Sequence, residues 1–323
     1  MDPAREDSLA SQAEFVWIPR PKFQDRRWLN GLLLLLTVAS TTFVGAMHWM
    51  DFATQARMSY DQVGWVGLLG RGLWYSGTIL AILGCHELGH YLACRYYDVD
   101  ASLPFFLPAP FLTGTLGAFI RIREPIPSKR MLFDIGIAGP IAGFVVAVPA
   151  LFIGLALSTV VPSPPTEVVG FFGPADGLQL GEPLLFKFAS WVMAGPIEQG
   201  WSLNLHPVAF ASWFGMIATF LNLFPLGQLD GGHISYAVLG PRSSKITLVA
   251  IAGAIILTIF SPGLFVWTGL MVIMLWRFGR HHPRTFDEAV PIDRSRKILA
   301  LVAVVIFILC FTPAPIQPIR FIE

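Results

Sequence analysis

The sequence predicts an all-α polytopic membrane protein of about six to seven transmembrane helices, with a re-entrant or short β-like segment near residues 101–122. Three observations carry that expectation. Hydrophobic residues make up 54% of the 323 residues and charged residues only 13%, about half the charged share of ordinary soluble domains. The mean hydropathy is +0.62. The apolar residues gather into runs, several of them near the roughly 20 residues that cross about 30 Å of hydrocarbon. A disordered chain would need the opposite balance of charge and hydrophobicity. The net charge of +1 supplies no basic field for duplex nucleic acid, which leaves the lipid bilayer, and not nucleic acid, as the expected surroundings.

In chain order, residues 1–28 form a polar tail with five acidic and five basic side chains. That mixture resembles neither a signal peptide nor an Arg-rich, acid-poor transit peptide. The membrane domain is expected over 29–312, with its core at 73–240, and a C-tail over 313–323. Its first run is Leu29–Met47 and its second Leu73–Tyr96. The third, Met131–Leu157, contains Gly136, Gly139, Pro140, Gly143 and Pro149. Such residues are tolerated in a membrane where neighbouring helices re-satisfy the backbone, and Gly139, Pro140 and Gly143 read as close packing positions. A fourth run, Val208–Phe224, stops at Pro225. Ile246–Phe260 and Leu264–Leu275 flank the turn Ser261-Pro262-Gly263 and are short enough for a hairpin that does not fully cross. The last run is Ile298–Phe311. Residues from about Thr159 to Pro207 read as a polar connection whose Pro162-Ser163-Pro164-Pro165 start is a linker. Cys85, Cys94 and Cys310 lie in apolar runs, so no disulfide framework is indicated.

Orientation follows from Lys and Arg. With the N-tail inside, eighteen of the 22 fall on the inner side, and Arg57, Arg71, Lys187 and Arg320 on the other. The expected N-terminus is cytosolic. Pro104, Pro108 and Pro110 forbid a continuous helix over 101–122, yet the segment is too apolar for a free aqueous loop. Gly117–Ile122 either supplies an extended edge to which an unwound peptide adds or is an ordinary buried connector.

The chemistry is concentrated at His86-Glu87-Leu88-Gly89-His90 in the second run. Residues four apart share a helical face, so both imidazoles can reach one metal ion while Glu87 can address water beside it. Among seven His, chance would give this pattern in about one chain in two hundred. Ionisable groups at membrane depth are functional candidates by default. A catalytic zinc needs a third protein ligand and an open position. Asp230 in Asn222-Leu-Phe-Pro225-Leu-Gly-Gln-Leu-Asp230-Gly231-Gly232-His233 is the strongest candidate, although Asp-Gly-Gly also reads as a simple turn. His90 and His86 lie five and nine residues before Arg95, roughly 8 and 14 Å from the cytosolic boundary. A loop re-entering after Pro225 brings Asp230 to that level. His233 is either a supporting partner or a solvated loop residue, His281 and His282 read as surface, and Cys85 as packing.

His86–His90, the Asn222–His233 segment, and between them Gly114-Thr-Leu-Gly117-Ala-Phe-Ile-Arg-Ile and Asp134-Ile-Gly-Ile-Ala138-Gly139-Pro140-Ile-Ala-Gly143 together resemble the site-2 proteases, zinc metalloproteases that cut within membranes. The resemblance covers about residues 73–240. It implies one Zn²⁺ per chain on His86, His90 and Asp230, Glu87 as general base, and Asn222 as a residue that binds substrate or stabilises the oxyanion. It also implies a transmembrane protein as substrate, and a bacterial cell membrane is the expected location. Many relatives insert a PDZ domain or append CBS domains, and the chain has room for neither, so gating by such modules is not expected. The competing expectation is a non-enzymatic metal-holding scaffold or transporter; paired interrupted helices in two halves would mark a transporter, and no such symmetry is present.

Overall fold

A computed structural model describes residues 21–59, 63–110, 113–162, 169–170, 173–174, 178–260, 264–279, 285–313 and 316–318. Most of the 1–28 tail, the linker 163–165, the 261–263 turn, His281, His282 and much of the C-tail lie outside the described residues.

Three long helices come first: α1 (Arg27–Gln55), α2 (Trp65–Tyr96) and α3 (Lys129–Ala156). α1 extends beyond both ends of its apolar run, while α2 and α3 begin before theirs, α2 at Trp65 and α3 at Lys129. Arg71 is therefore inside α2, its guanidinium 4.2 Å from the centre of the Trp49 ring on α1. α3 starts at Ser128, whose Oγ accepts from the Met131 N–H at 3.2 Å, a side-chain N-cap. Between α2 and α3, β1 (Phe105–Pro108) and β2 (Thr115–Phe119) form an antiparallel hairpin, continued by a bridge from Ala101 to Ile122. The described part of the 101–122 segment thus takes the short β-like form expected, as a hairpin.

Small residues set the helix spacing. A Cβ on Gly72 would stand 2.1 Å from the Thr42 carbonyl oxygen on α1, and one on Gly89 2.5 Å from that of Ala138 on α3. On α3, a Cβ at Gly154 would stand 2.2 Å from the Ala209 nitrogen. Backbones this close are the packing mode expected where lipid, and not water, surrounds the helices.

The connection from about Thr159 to Pro207 holds more structure than the polar connection expected. β3 (Thr159–Pro162) pairs with β7 (Trp201–Asn204), and between them lies α4 (Leu184–Ala194). Phe186 and Ala189 of α4 join the main core. Eleven residues span only about 16 Å, so a search for membrane-length runs passes over this helix. Two further short pairs, β4 (Val169–Gly170) with β5 (Gly173–Pro174) and β6 (Leu178–Leu180) with β8 (Ile316–Pro318), complete the described strands.

The C-terminal half holds α5 (Pro207–Asn222), α6 (Asp230–Leu239), α7 (Ser243–Phe260), α8 (Phe265–Phe278) and α9 (Arg294–Cys310). His206 caps α5 by accepting from the Val208 N–H at 3.3 Å. At 16 residues, α5 is about 24 Å long; it sits at the centre of the protein and so need not match the hydrocarbon. α6 was not expected as a helix, and through one turn at Gly240–Arg242 it leads into α7. Among the described residues four runs are long and apolar enough to cross a membrane: α1, α2, α3 and Asp230–Ile259. The core joins Phe133, Leu151, Met216, Phe220, Ile234 and Ile306 from α3, α5, α6 and α9. Outward-facing Val145, Ile153, Val249, Ile256 and Val304 are exposed, as lipid-facing positions are where every backbone group is satisfied within its helix.

Candidate metal centre

The site is built where α2, α3, α5 and α6 meet. His86 and His90 are one turn apart on α2, both buried, with ring centroids 4.8 Å apart. Glycines on α3 make room for them. A Cβ on Gly139 would lie 2.1 Å from His90 Nε2, and one on Gly143 3.1 Å from His86 Cβ. The packing reading of these glycines is correct, and the partners they pack against are the site histidines.

Asp230 arrives from the other side as the first residue of α6. After α5, the Leu223–Leu229 segment folds under the start of α6. Leu226 is 1% exposed and the Pro225 carbonyl accepts from Thr247 Oγ1 of α7 at 2.8 Å. The turn reading of Asp-Gly-Gly is thereby corrected: neither Gly231 nor Gly232 has a positive φ. A Cβ on Gly231 would stand 2.0 Å from the Leu223 carbonyl oxygen, and one on Gly232 2.4 Å from that of Gly227. These glycines admit the backbone of the preceding loop. The segment after Pro225 does bring Asp230 to the histidines, and Asp230 itself begins a helix.

His86 Nε2 and His90 Nε2 are 3.1 Å apart. Asp230 Oδ2 lies 3.2 Å from the first and 3.3 Å from the second. The donors of a tetrahedral zinc at about 2.0–2.1 Å are themselves about 3.3 Å apart, so this triangle has the edge that zinc requires. The donor chemistry agrees. His90 Nδ1 lies 2.7 Å from the Ile135 carbonyl oxygen, which can only accept, so Nδ1 carries the proton and neutral His90 turns a lone pair at Nε2 toward the triangle. Acceptors facing one another in a buried place need a cation between them. Among the described residues this is the group of His, Cys, Asp and Glu side chains that could hold a metal ion.

Glu87 is 7% exposed and is not one of the three donors. Its Oε1 lies 4.0 Å from His86 Nε2, and the backbone of Ile120, just beyond β2, is within hydrogen-bonding reach of its carboxylate. Asn222, the last residue of α5, places Nδ2 3.2 Å from His86 Nε2. All five residues singled out in the sequence therefore converge. His233 is not on a loop but in the first turn of α6, its Cβ against Gly136. Cys85 lies outside the donor group. Sequence reasoning missed the Ile135 carbonyl and the Ile120 backbone, because a main-chain group has no side-chain identity to betray it.

The model of peptidase family M50 matches residues 74–261. The probable zinc metalloprotease EGY2 (chloroplastic) of Arabidopsis thaliana is 28% identical over 245 residues, 75% of this chain and 42% of that protein. Its counterpart in Oryza sativa subsp. indica is 28% identical over 256 residues, 78% of this chain and 45% of that protein. The probable zinc metalloprotease EGY1 (chloroplastic) of Oryza sativa subsp. japonica is 33% identical over 162 residues, 50% of this chain and 27% of that protein. The chain spans less than half the length of these relatives. No solved structure matches it. With the matched region covering more than half of the 323 residues and enclosing every residue of the triangle, the chain belongs to peptidase family M50.

Proposed function

We propose that this chain is an intramembrane zinc metalloprotease, hydrolysing peptide bonds within or near the transmembrane segments of other membrane proteins. The observation that carries it is the triangle of His86, His90 and Asp230 beside a buried carboxylate, held between apolar helices. Bound zinc supplies a Lewis acid that polarises the scissile carbonyl and makes water acidic enough to serve as nucleophile near neutral pH.

The chain's own groups do the rest. Glu87 takes the proton of the attacking water and returns it to the leaving amine, a role for which its burial beside the donors suits it. Asn222, at the rim of the triangle, donates its amide N–H to the developing oxyanion. A peptide bond in an intact helix is shielded by its own turn, so the substrate unwinds first. β2 offers it a place to lie: an extended peptide adding along Gly117–Ile122 is delivered beside Ile120, whose backbone reaches Glu87. Glycine or proline in the substrate span favours that unwinding.

On this reading six to seven helices cross the membrane, α8 among them, with the N-terminus and the metal centre toward the cytosol of a bacterial cell. The relatives above are named as chloroplastic; in a plastid the stroma takes the place of the cytosol.

The test is cleavage of a single-span reporter by the purified full chain in lipid. Chelation should abolish cleavage and one equivalent of Zn²⁺ should restore it, with the new termini, read by mass spectrometry, inside or beside the span. Cleavage indifferent to chelation, or confined to soluble loops, would overturn the proposal.

A further inference from the structure

We propose that Tyr97, Asp134 and Arg296 form a clamp that positions His90, making α9 part of the metal site although it lies beyond the residues that the family model matches. The proposal rests on the reading that the triangle holds a metal.

The His90 ring is fixed by its bond to the Ile135 carbonyl on α3. That stretch of α3 is weakened from within. Pro140 is inside the helix, and proline brings no N–H to the carbonyl four residues earlier while its ring crowds it, so the turn that begins at Gly136 lacks an internal hydrogen bond. The Ile135 carbonyl lies next to that gap, so its aim at His90 depends more on how the neighbouring residues of α3 are held from outside the helix.

Asp134, the preceding residue, is held at both carboxylate oxygens. Arg296 Nε donates to Oδ1 at 2.8 Å, and Arg296 Nη2 and the Tyr97 hydroxyl both donate to Oδ2. The Arg296 and Asp134 side chains are only 12% and 21% exposed, and such a two-pronged guanidinium–carboxylate pair fixes orientation as well as distance. Arg296 is in the first turn of α9, and its other prong meets Asp293, the N-cap of the same helix.

Tyr97 closes the circuit. It is the C-cap residue of α2 and stands seven residues after His90, two turns along the same face. His90 and Tyr97 therefore grip neighbouring residues of α3, Ile135 and Asp134, while Arg296 anchors that pair to α9. None of the three clamp residues is among the metal donors; they are positioning residues.

The experiment compares wild type with Asp134→Asn, Arg296→Gln, Arg296→Lys and Tyr97→Phe, as purified full chains. Arg123→Gln is the control: it breaks ion pairs to Asp25 and Asp100 with no link to α3. Zn²⁺ affinity is read by competition with a chromophoric chelator, coordination geometry by the visible bands of the Co²⁺ form, and stability by melting of the metal-free chain. Asp134→Asn and Arg296→Gln should weaken Zn²⁺ binding on the order of tenfold and shift the Co²⁺ bands. Tyr97→Phe should do so less, and Arg296→Lys should recover part of the loss. Affinities within about twofold of wild type with unchanged bands, whatever happens to melting, would overturn the clamp, as would an equal loss in Arg123→Gln. The underlying reading fails separately: a wild-type chain that takes up no Co²⁺, or uptake that survives His90→Ala, removes the metal site and the clamp together.

Discussion

Replacing Glu87 by glutamine should slow reporter cleavage by about a hundredfold to ten-thousandfold, the contribution of a positioned general base, while zinc stays bound at one equivalent. That range corresponds to about 3–5 kcal/mol in the activation barrier. Two observations separate the effects. Glu87 lies outside the donor triangle, so its loss removes no metal ligand. It is also buried, and glutamine keeps its volume and its reach to the Ile120 backbone while being unable to accept the proton of water. Coupled measurement of metal content and cleavage rate on the same preparation is therefore decisive. A variant that keeps zinc and cleaves at the wild-type rate would remove Glu87 from the mechanism.

Gly139→Ala should be as damaging, through metal binding. Its methyl would lie 2.1 Å from His90 Nε2, the donor atom itself, and neither helix can yield easily, since Gly89 and Ala138 already bring α2 and α3 into backbone contact. His90 must rotate off the triangle, and affinity for Zn²⁺ should fall by about a hundredfold or more, beyond what disturbing an outer support costs. The glycine series grades the effect. At Gly143 a methyl would lie 3.1 Å from His86 Cβ, so the Gly143→Ala loss should be smaller. At Gly253 nothing lies within 4 Å, so Gly253→Ala should bind as wild type does. Equal affinity across all three would show that the tight crossing of α2 and α3 does not shape the site.

What the sequence made legible follows from where each kind of information resides. His86, Glu87 and His90 were readable because the helical period carries their geometry within five residues. A non-helical, re-entrant or β-like segment over 101–122 was readable because Pro104, Pro108 and Pro110 forbid a helix while the surrounding side chains forbid open water; its pairing as a hairpin was not. Asp230 was readable as a residue but not as a helix start, since the reason for Gly231 and Gly232 is the closeness of Leu223 and Gly227, a tertiary fact. α4 escaped because eleven residues fall below membrane length, although its core residues Phe186 and Ala189 are plain in the sequence. The link from Asp134 to Arg296 joins residues 162 positions apart, and no local pattern announces it.

The central claim is that His86, His90 and Asp230 hold one catalytic zinc. It is tested most directly by metal content of the purified full chain, wild type beside Asp230→Ala. One zinc per wild-type chain is expected, and less than about a tenth of that in Asp230→Ala, because two imidazoles alone leave half of a tetrahedral shell unfilled. A full equivalent of zinc retained by Asp230→Ala would contradict it.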